Sequence, residues 1–248
     1  MTDVLAIKGL SVDFATQEGP VQALRGVDLA CPPGAIVGVV GESGSGKSTL
    51  ALAILGLMAG NAKVKSGRID FGGMNLLELS PPELRALRGN RISMVFQDPM
   101  TSLNPVRPIG KQMTDIQFRN RDLDRRGKLA RAADALRRVG MPDPESQLGR
   151  FPHQFSGGMR QRIAIAMSLL QEPELLIADE ITTALDVTLE AQILQLLRAL
   201  KSAIRGSILF ISHNLGAIAE ICDSVVVLYA GEVVEHGPVA EIFHRPQH

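Results

Sequence analysis

Nine consecutive residues, Gly41-Glu42-Ser43-Gly44-Ser45-Gly46-Lys47-Ser48-Thr49, set three glycines ahead of a lysine and two hydroxyls. Glycines at this spacing let successive backbone N–H groups turn inward around an anion. The order fits G-x-x-x-x-G-K-[ST], a loop that cradles the phosphates of a nucleoside triphosphate. Lys47 would bring a mobile charge to the β- and γ-phosphates, and the Ser48 hydroxyl would reach Mg²⁺. A helix opening at this point adds its positive dipole end. An incidental glycine-rich turn would not need every fixed position matched between an apolar run and a helix.

A second cluster narrows the chemistry. Leu175-Leu176-Ile177-Ala178 is an apolar run that ends in Asp179-Glu180. A strand of this kind carries Asp179 to the carboxyl edge of a sheet, beside the glycine loop, where it can hold the Mg²⁺ shell. Glu180 is then placed to polarise an attacking water as general base. The plainer reading is a strand followed by a solvated acidic turn; next to a phosphate loop it is the weaker one.

The elements that must position these groups follow from the apolar pattern. Leu10, Val12 and Phe14 alternate with polar residues, the period of a half-buried strand. Ala35–Val40 is a short continuous apolar run, as in a strand covered on both faces, and Pro32-Pro33-Gly34 turns into it. Ser48–Met58 reads as a buried helix, Arg68–Phe71 as strand before a Gly72-Gly73 turn, Arg91–Phe96 as strand, and Asp98–Pro108 as loop. Leu129, Ala132, Ala133, Leu136 and Val139 stand at helical spacing up to Gly140 and Pro142. Ser156–Leu170 predicts another helix. Strand-like runs return at Leu175–Ala178, Ser207–Ile211 and Ser224–Tyr229, with a helix carrying Leu189, Ile193, Leu196, Leu197 and Leu200 between the first two. Strands and helices alternate at both ends of the chain, which argues a parallel-rich α/β sheet with a helical middle inserted.

The chain has 248 residues and 26.6 kDa, one large domain or two small ones. Hydrophobic residues at 45% and charged residues at 21% exclude a disordered or fibrous chain. Lys+Arg 26 balances Asp+Glu 26, so nothing in the total charge asks for nucleic acid or an anionic membrane as partner. Arg119, Arg121, Arg125, Arg126, Lys128, Arg131, Arg137 and Arg138 read as a solvated helix face rather than a binding patch. Cys31 and Cys222 lack metal-ligand spacing and fit a reducing compartment. The start lacks a signal-peptide pattern, and the longest apolar runs are strand-sized, far short of the roughly 20 residues that cross a bilayer. A soluble protein is expected, with any membrane role acting through a partner.

Phe155-Ser156-Gly157-Gly158-Met159-Arg160-Gln161-Arg162 resembles the signature motif of ABC ATPases, the nucleotide-binding subunits of ATP-binding-cassette transporters. The order around it also matches: glycine loop, Gln97, signature, acidic strand, Ala184-Leu185-Asp186, and His213 after an apolar strand. Val95-Phe96-Gln97-Asp98-Pro99-Met100-Thr101-Ser102-Leu103-Asn104-Pro105, Met159 and Tyr229-Ala230-Gly231 resemble the dipeptide, oligopeptide and nickel importer branch. The resemblance implies a P-loop (RecA-like) core with an N-terminal antiparallel β subdomain. It implies core residues at about 1–97 and 166–248, with a helical signature subdomain inserted at 98–165.

The resemblance also implies roles. Phe14 takes the place of the aromatic that stacks on adenine, unless it is only a buried strand residue. Gln97 would reach Mg²⁺ or the attacking water, in a loop that faces the membrane subunit. Asp186 would lie in the loop that crosses to the partner, and His213 would contact the γ-phosphate and hold the water and Glu180. Ser156, Gly157 and Gly158 open a helix, an anion-binding arrangement. In this family that tip covers the nucleotide of a second cassette packed head to tail, so ATP joins the interface and hydrolysis opens it. The implied partners are ATP, a second cassette of the same or paralogous sequence, two integral membrane permeases and, indirectly, a solute-binding protein. The implied place is the cytoplasmic face of the cell membrane.

Some residues depart from the family pattern. Ile181 stands where proline is usual, which predicts a looser turn after Glu180 and slower or less coupled hydrolysis. Asn214 replaces a frequent aspartate after the histidine, and Met159 a glutamine. Many branch members continue past His248 with a cysteine-bearing tail, so a truncated or naturally short member is expected. Two other classes compete. A DNA-maintenance ABC ATPase would insert a long coiled coil or zinc module, but only 58 residues separate Gln97 from Ser156. A non-hydrolysing regulator would lack the base or the histidine, and both stand in this sequence. A translation-linked ABC factor would carry two cassettes in one chain.

Overall fold

The computed structural model describes residues 2–98, 102–183, 186–203 and 206–248. The chain enters through β1 (Leu5–Thr16) and β2 (Gly19–Cys31), turns into β3 (Ile36–Val40), and passes the glycine loop into α1 (Lys47–Leu55). β4 (Ala62–Phe71), β5 (Met74–Asn75), α2 (Pro81–Leu87) and β6 (Ile92–Val95) follow. Helices α3 (Ile109–Asp115), α4 (Arg125–Arg138), α5 (Pro144–Gln147) and α6 (Gly157–Leu169) lie between β6 and β7 (Leu175–Asp179). After them come α7 (Val187–Ala203), β8 (Ser207–Ser212), α8 (Leu215–Ile221), β9 (Ser224–Tyr229), β10 (Glu232–Pro238) and α9 (Val239–His244).

The strands form two sheets. One is antiparallel in the order β2-β1-β4-β5; the other runs β10-β9-β3-β8-β7-β6. In the second, β9, β3, β8, β7 and β6 are parallel and β10 is an antiparallel edge. The continuous apolar runs have the reason expected of them. Every residue of β3, β7 and β8 is buried, because both faces of this sheet are covered. Leu176, Ala178, Ile208 and Phe210 pack with the helices on one face. Leu175, Ile177, Leu209 and Ile211 pack on the other with α1 and the antiparallel sheet. Helix α1, caught between the two sheets, buries Leu50, Ala51, Ala53 and Ile54. Each large side chain such as Leu50 or Ile54 contributes about 1.5–3 kcal/mol through burial.

The structure shifts several sequence expectations. Helix α1 stops at Leu55, not Met58, because Gly56 adopts φ +60° and its N–H and that of Leu57 close back on Ala53 and Leu52. β4 begins at Ala62, six residues before the expected Arg68 start. β2 and β10 are strands that the apolar pattern did not mark. The helical middle is present, and the expected limit at 165/166 falls inside α6. In the expected 98–108 loop, Pro99, Met100 and Thr101 lie outside the described residues, as do Ala184 and Leu185. The basic stretch is partly tied down: Arg131 donates to the Leu170 carbonyl, while Arg137 and Arg138 pair with Asp134. Cys31 and Cys222 are free thiols, and burial pushes both up to about 12. Among the described residues no helix is long and apolar enough to cross a membrane.

Candidate active site

Parallel register gathers the chemistry at one edge. Val40 pairs with Ser212, Asp179 with Ile211, and Ala178 with Val95. The loops that leave β3, β8, β7 and β6 carry Gly41–Gly46, His213, Glu180 and Gln97, so all emerge at the carboxyl ends of adjacent strands. That edge is where open α/β sheets bind ligands.

The glycine loop is built for backbone, not side chains. Gly46 caps α1 at φ +106°, and a Cβ there would meet the Ala23 carbonyl oxygen at 2.6 Å. Gly44 sits at φ +80°, and a Cβ on Gly41 would meet Ser45 Oγ at 2.6 Å. The Ser45 N–H donates to the Glu42 carbonyl at 3.2 Å, which closes the turn. Glu42, Ser43, Gly44 and Ser48 are not buried, Thr49 is half-buried and Ser45 is buried. Lys47, 4% exposed, donates from Nζ to the carbonyls of Gly41 (2.8 Å) and Glu42 (2.9 Å). Its ammonium is therefore already folded over the loop that it would serve.

Glu180 is the hub. Its Oε1 stands 3.5 Å from Lys47 Nζ. Its Oε2 accepts from Gln97 Nε2 at 3.1 Å and Thr183 Oγ1 at 3.5 Å, and lies 3.6 Å from His213 Nδ1. Glu180 has φ +48°, a left-handed conformation that costs about 1–2 kcal/mol. Its N–H is fixed to the Ile211 carbonyl at 2.9 Å, and the Thr183 N–H closes on the Glu180 carbonyl at 3.2 Å. Ile181, where proline was the family expectation, is 2% exposed and packs into the core. The turn is thus held by backbone hydrogen bonds and a buried side chain. Next to it, Asp179 is buried beside the Ser48 hydroxyl. Burial pushes its carboxyl above the usual range; the Ser48 hydroxyl opposes this, nearby Glu180 adds to it, and Lys47 opposes it. Asp179 Oδ1 has no hydrogen-bond partner although it is buried.

Among the described residues, no hydrogen bond or ion pair joins the remaining sequence candidates to this hub. Ser156 caps α6, its Oγ accepting from the Met159 N–H at 3.3 Å. Gly157 is exposed with open space around it, whereas Gly158 presses on α7, where a Cβ would stand 2.9 Å from Leu189 Cδ2. Asp186 is exposed and caps α7 by accepting from the Leu189 N–H at 2.9 Å. Phe14 is half-buried near the end of β1, paired with Val21 and Ala62, and packs on the core shared by α1 and the antiparallel sheet.

The family profile described as "ABC transporter" matches residues 24–183. The oligopeptide transport ATP-binding protein OppD of Bacillus subtilis is 49% identical over 249 residues, covering 100% of this chain and 70% of that protein. The chain belongs to the ABC transporter family. The dipeptide transport ATP-binding protein DppD of Lactococcus lactis is 48% identical, over 99% of this chain and 70% of its own length. Among solved structures, a dimeric post-hydrolysis state of the ATP-binding cassette MJ0796 bound to ADP and Pi matches with a TM-score of 0.84. That match has 26% identity and covers 95% of this chain and 98% of the other. The glycine loop and the Glu180 hub therefore sit in an ABC ATPase cassette.

One supporting contact of this cassette joins residues that no motif links. At the β9–β10 turn, Ala230 (φ +45°) and Gly231 (φ +87°) form a tight reversal. The Gly231 N–H donates to the Ser45 carbonyl at 3.0 Å, and its carbonyl accepts from the Arg25 N–H at 2.8 Å. The turn thus ties the phosphate loop to β2. The Ala230-Gly231 pair after the strand-like run Ser224–Tyr229 is the signal that could have marked this turn.

Proposed function

We propose that this chain is the ATP-hydrolysing subunit of an importer for peptides or a related small solute. The observation that carries the reading is the convergence of Lys47, Gln97, Thr183 and His213 on the single carboxylate of Glu180, behind a loop where a Cβ on Gly41 or Gly46 would clash. The triphosphate enters between Lys47 and Glu180. Lys47 exchanges its carbonyl and Glu180 contacts for phosphate oxygens, and Glu180 is released to take a proton from the attacking water. His213 and Gln97 hold that water and the γ-phosphate in line. Phe14 stacks on the base.

The partnerless buried Oδ1 of Asp179, with the Ser48 hydroxyl beside it, is an oxygen donor set that suits Mg²⁺. Ser48, Asp179 and Gln97 would hold the ion, which neutralises charge on the phosphates. Ser156, Gly157 and Gly158 close over the triphosphate bound by a second cassette, with Asp186 at the crossing. The signature lies in a helical unit at 98–165 set into core residues 1–97 and 166–248. Two membrane permeases, fed by an external solute-binding protein, take up the motion at the cytoplasmic face of the membrane. Identity near half to the oligopeptide and dipeptide subunits named above supports peptides as the cargo class.

Purified chain with MgATP tests the enzymatic part: release of phosphate that depends on Mg²⁺ is expected, and no turnover with or without the partner subunits contradicts it. Vesicles carrying its permeases test the transport part. ATP-dependent uptake of a labelled peptide is expected; turnover with uptake of other solutes only would move the cargo elsewhere.

A further inference from the structure

We infer that Asn214 is a positioning residue for hydrolysis: with Glu190 it locks the His213 loop to the first turn of α7. The inference rests on the proposed role of His213. Asn214 Oδ1 accepts from the N–H groups of Gly216 (2.9 Å) and Ala217 (3.4 Å), capping α8. Those two donors fix the orientation of the amide, so Nδ2 must face the other way. There it donates to Glu190 Oε1 at 3.1 Å. The Asn214 N–H in turn donates to Ser212 Oγ at 2.9 Å, and Ser212 is 2% exposed. His213 is therefore pinned through both neighbours in the chain. On the far side, the Glu190 N–H donates to the Asp186 carbonyl at 2.8 Å, in the same turn that the Asp186 side chain caps. A continuous set of hydrogen bonds thus runs from the end of β8, past His213, to the residue that opens α7.

The chemistry of the pair is specific. Asparagine accepts on one side and donates on the other; aspartate only accepts. An aspartate in place of Asn214 would cap α8 as well as asparagine does. It would also set a second carboxylate at hydrogen-bond distance from Glu190, and the two would repel. With Glu190 opposite, the chain needs an amide at this position. The departure from the family's aspartate becomes one half of a donor–acceptor pair, and Glu190 is the other half.

The test exchanges donor and acceptor. Asn214→Asp should lower kcat for ATP about tenfold or more, with little change in the KM for ATP or in the melting temperature, since the cap survives. Glu190→Gln should turn over near the parent rate, because its carboxamide oxygen still accepts from Asn214. Asn214→Asp combined with Glu190→Gln should restore kcat to within about threefold of the parent, since the amide has only changed sides and again donates to a carboxylate across the same gap. Asn214→Ser keeps a capping hydroxyl without an amide donor and should show a smaller loss that Glu190→Gln does not repair. A parent-like kcat for Asn214→Asp, or a double variant no better than Asn214→Asp, overturns the inference. His213→Ala separates the two claims. If it abolishes turnover while Asn214→Asp does not impair it, the positioning role fails alone. If His213→Ala turns over normally, the role of His213 fails and takes this inference with it.

Discussion

The glycine loop and the tip of α6 are both glycine-bearing helix starts, yet the chain treats them differently. The loop before α1 is braced from within: a Gly46 Cβ would strike the Ala23 carbonyl, Gly231 holds the Ser45 carbonyl, and Lys47 folds back over two loop carbonyls. The tip of α6 is held by Gly158 against Leu189, by the Ser156 cap and by Arg160 Nε on the Ser156 carbonyl, while Gly157 faces open space. Among the described residues no hydrogen bond or ion pair joins Ser156, Gly157 or Gly158 to the Lys47 and Glu180 cluster. One helix start is completed by its own chain. At the other, Gly157 is exposed.

The largest effect that sharpens this contrast is chemical. Glu180→Gln should lower kcat by about 10²- to 10⁴-fold, as loss of a general base does, while ATP still binds. Equal loss of ATP affinity in a titration would make Glu180 a binding residue instead. Lys47→Ala should weaken ATP binding on the order of 100-fold, because a charge-assisted contact to phosphate disappears. Calorimetric titration in the Glu180→Gln background reads this without turnover.

The two glycine environments can then be compared directly by chemical denaturation. Gly46→Ala should cost about 2 kcal/mol or more, since the left-handed backbone and the Ala23 carbonyl both oppose a methyl. Gly157→Ala should change stability by about 0.5 kcal/mol at most. Similar costs at both positions would break the distinction between the braced and the open helix start. The smallest effect is electrostatic. Asp179→Asn removes a buried carboxylate whose charged form is disfavoured, so the nucleotide-free protein should melt about 2–4 °C higher. A lower melting temperature would mean that the Asp179 charge stabilises the fold.

The contiguous parts of the site were legible in the sequence because their geometry is local. Gly41–Thr49 states the loop and the helix that follows, and an apolar strand ending in Asp179-Glu180 states the carboxyl edge. The parallel core was legible for a similar reason: strands buried on both faces read as unbroken apolar runs. β2 was not, since most of its N-terminal half is exposed, and neither was β10, an edge strand holding Glu232, Glu235 and His236. The end of α1 was overrun because Leu57 and Met58 extend the apolar pattern, although Leu57 is 44% exposed and Gly56 ends the helix. Contacts such as Gly231 to Ser45 and Asn214 to Glu190 join residues far apart in the chain, and no spacing rule announces them.

The central claim is that ATP lies between two cassettes, gripped by the loop of one and the α6 tip of the other. Sedimentation of the Glu180→Gln protein, alone and with its partner cassette, tests it directly when run with and without MgATP and with Ser156→Arg added. The account predicts a dimer that forms only with MgATP and is lost on adding Ser156→Arg, while each chain still binds ATP. A dimer that ignores MgATP, or one that survives an arginine at that tip, would contradict it.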